Sequence, residues 1–251
     1  MKVRNIVQVI IFLVGVVLIL TAMLFRAEAS VEGEKNISVN IILLSIGCSV
    51  VAAVIINIFE HYLTLPEVNL LRFLSSWNLV NIFETRSDMN KVSNELMKKA
   101  KEIDISSLGN KSLINYQGDL LKNRLRDGMK IRFMVPDKDS EFIKQREIDE
   151  NATAGEIKNN INYLIDWVRL TKNELNLKND QIEIKMYTCL PIESIMRIDN
   201  HLFVGPFMVK KISQLTMAYQ YKKGGNGYHY YKTYFNDIWK DENISQKIEN
   251  N

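Results

Sequence analysis

The chain has 251 residues and a mass of 29.1 kDa, room for one domain of ordinary size and little beside it. Lys+Arg 32 against Asp+Glu 29 leave a net charge of +3, which excludes the bulk positive field of a DNA binder. The apolar share of 47% is concentrated before Glu60 and the charge after it, which excludes a soluble single-domain protein. Two cysteines, Cys48 and Cys189, are too few for a disulfide framework and read as free thiols in a reducing compartment.

Ile6 to Phe25 carries no charge, and at about 1.5 Å per residue it spans roughly 30 Å, the hydrocarbon thickness of a bilayer. Val39 to Phe59 is a second such run. Between them Arg26 to Ser38 carries Arg26, Lys35 and the acids Glu28, Glu32 and Glu34. The whole of 1–60 reads as a two-helix transmembrane hairpin. Lys2, Arg4 and the small-x-small phrase Ala27-Glu28-Ala29 imitate a signal peptide, but the apolar stretch is longer than a signal core and Arg26 crowds the cut. An uncleaved anchor keeps the N-terminus in the cytoplasm and sends the net-acidic loop outside. Cleavage would turn the second helix into a stop-transfer segment. Either route leaves the C-terminal part cytoplasmic, on a plasma (inner) membrane, with the lipid bilayer as first partner.

In the second span Ser45, Ser49 and Ala53 recur at four-residue spacing beside Gly47, Cys48 and Ala52. Small residues so placed let helices approach closely in lipid. The stripe serves either packing against the first helix or a homo-oligomer formed through the second.

Residues 61–76 read as a juxtamembrane linker or helix, with Pro66 and an amphipathic Val68–Leu74. From Trp77 strands and helices alternate. Strands are expected at 79–83, 103–105, 130–135 and 181–187. Helices are expected after an N-cap at Ser87 or Asp88, over 112–127, as one long helix following Pro136-Asp137 and best defined from Thr153 to Leu175, and over 228–240. Asp199-Asn200-His201 between Ser194–Ile198 and Leu202–Phe207 signals a tight hairpin. The tail 242–251 is polar. The fold class is therefore α/β, two N-terminal transmembrane helices followed by an α/β sandwich over 77–241.

The order of these elements resembles the phospholipase D-like superfamily. So do the phrases Ile82-Phe83-Glu84-Thr85-Arg86, Asp127-Gly128-Met129-Lys130-Ile131-Arg132-Phe133, Ile198-Asp199-Asn200-His201-Leu202-Phe203-Val204-Gly205 and Phe235-Asn236-Asp237-Ile238-Trp239. The family's chemistry needs His-x-Lys-x4-Asp, usually twice. With Asp199 as its aspartate, the histidine and lysine positions hold Ile192 and Ser194, and the following Gly-Ser-x-Asn stretch falls on Gly205-Pro206-Phe207-Met208. The resemblance implies a single degenerate module with the fold and without the chemistry. No catalytic residue, cofactor or metal follows from it. No histidine pair has metal spacing, and no Cys-x-x-Cys exists.

His201 is close to where the family site would lie, but a turn histidine reads as surface. Lys222-Lys223-Gly224-Gly225-Asn226-Gly227 lacks phosphate-loop order and an expected preceding strand, so it reads as a loop. The tyrosines from Tyr219 to Tyr234 read as packing or as a base-stacking surface.

A degenerate enzyme fold keeps its pocket. Here that pocket is expected at strand ends, near Arg86, Ser106, Ser107, Glu193, Ser194 and Arg197. Arg86 beside hydroxyls suits a phosphate; otherwise it pairs with Glu84 or Asp88. The expected function is a membrane-anchored sensor or effector binding a phosphorylated small ligand or a protein partner, in a layout resembling bacterial antiviral membrane effectors. The alternatives are a phosphodiester-cleaving enzyme with a non-standard site and a membrane scaffold.

Overall fold

Two apolar helices open the chain, α1 (Val3–Glu28) and α2 (Lys35–Trp77). The computed structural model describes residues 3–28, 35–178 and 180–248. Lys2, positions 29–34 of the expected loop and positions 249–251 of the tail lie outside the described residues. Both helices are long and apolar enough to cross a membrane, at Val7–Leu24 and Val39–Glu60. Their contact is built on glycine. A side chain at Gly47 would meet Ile19 at 2.7 Å and the Gly15 carbonyl at 3.0 Å, and one at Gly15 would meet Val50 and Val51, each at 3.0 Å. Ala22 and Val54, one heptad along from the two glycines, are the other buried positions among the described residues of these helices. Gln8 donates across to Asn57 at 3.5 Å. The Ser45, Ser49 and Ala53 stripe is exposed instead, so of its two expected uses it does not serve packing against α1.

The expected linker 61–76 is helical: α2 runs through it to Trp77. The chain divides into two units, Met1–Arg72 and Phe73–Asn251. In the second unit, Asn78 adopts φ 50, a left-handed conformation that asparagine tolerates, and the chain turns into the first strand. The elements are β1 (Leu79–Phe83), α3 (Arg86–Met97), β2 (Glu102–Ser106), α4 (Lys111–Arg126), β3 (Lys130–Pro136), α5 (Glu141–Glu150) and α6 (Glu156–Glu174). Then follow β4 (Ile182–Tyr187), β5 (Glu193–Ile198), β6 (His201–Pro206), a 3-10 turn at Ser213–Leu215, β7 (Ala218–Lys222), α7 (Asn226–Lys240) and β8 (Ser245–Lys247). The eight strands form one sheet ordered β1-β7-β6-β5-β2-β3-β4-β8. β2, β3 and β4 are parallel, and the other pairings are antiparallel.

Strand alternation assigns the two faces. Ile103, Ile105, Ile131, Phe133, Met196, Ile198 and Phe203 pack with Met89, Met97, Leu121, Leu125, Ile161 and Leu164 of α3, α4 and α6. The other face meets α7 through Met134 and Tyr187 against Phe235 and Trp239, and through Ile195, Leu202 and Val204 against Tyr228 and Tyr231. Each fully buried large side chain contributes about 1.5–3 kcal/mol.

Several elements depart from expectation. The N-cap of α3 is Thr85, whose hydroxyl accepts from the Asp88 amide at 3.2 Å. The one long helix expected after Pro136-Asp137 is divided into α5 and α6 by left-handed Asn151 and Gly155, and β7 was not expected. The polar tail is not all free, because Ser245–Lys247 pairs with β4. The Ser245 hydroxyl donates to the Ile238 carbonyl at 2.6 Å and so satisfies the end of α7.

Candidate functional site

The parallel strands end at Ser106, Pro136 and Tyr187, the edge of an α/β sheet where ligands ordinarily bind. Arg86 comes to this edge from the first position of α3. Its amide donates to the Thr216 carbonyl at 2.9 Å, and its Nη2 donates to the carbonyls of Gly205 at 2.6 Å and Pro206 at 3.0 Å. It pairs with neither Glu84 nor Asp88; Asp88 is held by Lys91 at 2.9 Å. The Phe207 ring is flanked by two guanidiniums, Arg86 at 5.0 Å and Arg146 at 5.2 Å. Arg146 is tied down by Glu150 at 2.6 Å and the Met208 carbonyl at 3.0 Å. Burial lowers the Arg86 pKa to about 10, and the like charge of Arg146 adds to this against Glu150 and Glu193.

Register places the remaining expected residues. Ser106 faces Ile195 across β2 and β5, so Ser107 continues the row opposite Ser194, and Ser194 faces Gly205 on β6. Alternation puts Ser107 with Ile105, Ser194 with Met196 and Gly205 with Phe203, all on the α3 face. Arg86, Ser194 and Ser107 therefore form a row along one edge. Two polar atoms in it, Arg86 Nε and Ser107 Oγ, are buried without a hydrogen-bond partner, in residues 7% and 9% exposed.

Ser106 and Glu193 lie at the same edge on the other face. Tyr187 is buried beside it, and burial drives its pKa up against a smaller opposing effect of the Ser106 hydroxyl. Burial also pushes the half-exposed Glu193 carboxyl up, against a weaker pull from Arg86. Arg197 does not join them. It faces Asp104 in the body of the sheet and bonds its carboxylate, with Glu102 at 3.2 Å. Arg132 binds the other Asp104 oxygen at 2.7 Å and stacks on Phe235 at 5.1 Å and Trp239 at 5.2 Å. Burial raises the Asp104 pKa, but the bonds from Arg132 and Arg197 outweigh it and hold the group ionised.

His201 sits at the start of β6, the far end of that strand from Gly205, so it is not near the edge expected for the family site. Its Nδ1 is 3.0 Å from Gln220 Nε2. Asp199 is structural: its carboxylate accepts from the amides of Lys101 at 3.0 Å and Glu102 at 2.8 Å. The glycine-rich loop follows a strand after all, β7. Its Gly225 closes on Trp77 and Asn78, where a side chain would collide with both. Lys222 and Lys223 amides donate to Asn78 at 3.0 Å and Asn200 at 2.8 Å. That loop is a joint at the hairpin end of the sheet, and the Arg86 row is at the opposite end. Sequence reasoning missed Arg146 and Phe207; an arginine spaced four from Glu150 was the available signal.

Residues 77–212 match the model of a family described as Domain of unknown function (DUF5919). The match spans more than half of the chain, and the chain belongs to that family. No curated protein matches it. Among solved structures it is similar to that described as "Structure of TrmBL2, an archaeal chromatin protein, shows a novel mode of DNA binding". The identity is 12% and the TM-score 0.42, over 76% of this chain and 68% of that one, a likeness too distant to assign a ligand.

Proposed function

We propose that this is a membrane-anchored, catalytically inactive phospholipase D-like protein, a bacterial sensor or effector whose cytoplasmic domain binds a phosphorylated ligand at the row Arg86, Ser194 and Ser107. The observation that carries the reading is the pair of orphaned atoms, Arg86 Nε and Ser107 Oγ, on one face of the strand ends. A buried polar atom without a partner costs about 1–3 kcal/mol. Two of them flanking Ser194 are donors in want of an acceptor, and phosphate oxygens supply it. Ile192 and Ser194 stand where the family's histidine and lysine would be, so binding rather than turnover is the expected activity. The apolar surface of α1 and α2, exposed along Val7–Leu24 and Val39–Phe59, supports the anchor.

The anchor and its orientation are tested on Cys189, which lies in the second unit and is partly exposed. Burial raises its thiol pKa, so labelling with a membrane-impermeant maleimide is run above neutral pH. The reading requires the chain to resist alkaline carbonate extraction and Cys189 to be labelled only after the cells are opened. Release by carbonate, or labelling in intact cells, overturns it.

A further inference from the structure

On the opposite face from Arg86, the same edge brings tyrosines within reach of one carboxylate, since the Glu193 charge acts on Tyr231 and Tyr234. Tyr219 faces Val204, which faces Ile195, and these pack with Tyr231 and Tyr234 of α7. Glu193 is the next residue of β5 on this face beyond Ile195, at the open end of the strand. Tyr231 is fixed between two rings, Tyr221 at 5.7 Å and Tyr230 at 5.2 Å, the latter edge-on. Glu193, Tyr219, Tyr231 and Tyr234 are each only partly buried, so each keeps some exposure to solvent. Among the described residues, Arg86 is the one cation acting on Glu193, and its Nη2 is committed to two backbone carbonyls.

A carboxylate half withdrawn from water, with no hydrogen-bonded cation among the described residues and tyrosines within reach of its charge, is an arrangement that attracts an alkylammonium ion. The electron-rich rings supply cation–π attraction and the carboxylate the counter-charge. We infer that Glu193 with Tyr219, Tyr231 and Tyr234 forms a binding site for an organic ammonium ion, distinct from the Arg86 row. Nothing in this inference depends on the phosphate site: Ser107 and Ser194 lie on the other face of the sheet, and Glu193 is not part of that row.

The test uses the full chain in dodecyl maltoside micelles, which carry no ammonium group, and ligand-observed saturation-transfer NMR. The probes are tetramethylammonium, n-butylammonium and choline, with 3,3-dimethylbutanol as the uncharged isostere of choline. Saturable binding of the cations is expected, and none of the isostere. Preference for tetramethylammonium over n-butylammonium identifies a methylated amine as the ligand class, and the reverse a free amine; both support the site. Glu193→Gln and Tyr231→Ala should each weaken binding about fivefold or more, while Tyr231→Phe, which keeps the ring, leaves it nearly unchanged. Far-ultraviolet circular dichroism confirms that each variant is folded. Equal binding by the isostere, no saturable binding of any cation, or undiminished binding in a folded Glu193→Gln overturns the proposal.

Discussion

Arg86 occupies the space that any side chain at position 205 would need. A methyl on Gly205 would fall 2.8 Å from Arg86 Nε and 2.7 Å from the Met217 carbonyl. The glycine is thus required by the arginine, and the arginine is held by the glycine's own carbonyl. Gly205→Ala should lower unfolding free energy by about 1–3 kcal/mol, the usual cost of overpacking. Denaturant unfolding of the full chain in micelles checks it, and the same variant should lose ligand binding at the Arg86 row.

The Asp104 site makes a pH prediction. Its folded-state pKa lies below the ordinary carboxylate value, so its stabilisation is complete above that value, about pH 4, and is lost as pH falls through the folded pKa. Asp104→Asn leaves Arg197 and Arg132 facing a neutral amide in a buried place. It should cost about 3–5 kcal/mol at neutral pH. Its unfolding midpoint should also vary less with pH than that of the native chain on the acid side. Thermal melts of both chains from pH 7 down to pH 2 measure the difference.

The end of the chain stabilises the domain. Ser245 Oγ reaches the Ile238 carbonyl at 2.6 Å and the Trp239 carbonyl at 3.2 Å, while its backbone pairs with Tyr187. Ser245→Ala should cost about 1 kcal/mol. A stop codon at Asn243 should cost more, because it also uncovers β4. Hydrogen exchange should then rise in β4 and in the last turn of α7, and unchanged exchange there would refute the docking.

The exposed stripe Ser45, Ser49 and Ala53 is free for a second copy of the chain. If protomers meet on it, Cys48 residues approach each other, and mild oxidation in membranes should give a disulfide-linked dimer. Ser49→Leu should suppress that dimer. Gly47→Val should instead disturb the α1–α2 contact, since its side chain would strike Ile19.

Much of this architecture was legible because hydrophobic period and turn residues agree with it. The two long apolar helices, the strands at 79–83 and 130–135, and the Asp199-Asn200 hairpin needed only local signals. α5 was legible only as a vague start to one long helix, because its buried side includes Arg146 and Glu147 and its inward face is partly charged. β8 escaped for a similar reason, its buried residue being a serine. β7 was hidden among tyrosines that suit strand and helix alike. Of the expected site, Arg86, Ser107 and Ser194 share a face, and Ser106 and Glu193 share the edge. Arg197 was misplaced because a residue's position along a strand is set by register, which one strand's sequence does not contain. The orphaned atoms were illegible for the same reason: a missing partner is a fact about the whole packed fold.

The proposed phosphate site is tested most directly by thermal unfolding of the full chain in maltoside micelles against inorganic phosphate, nucleotides, cyclic and linear oligonucleotides and lipid headgroups. A ligand that binds only the folded chain adds about 2.7 kcal/mol of stability at a hundred times its dissociation constant. The account predicts that at least one phosphorylated compound raises the midpoint, and that Ser107→Ala and Arg86→Gln, each shown to be folded, abolish the rise. No shift across the panel, or a shift that survives in both variants, would contradict it.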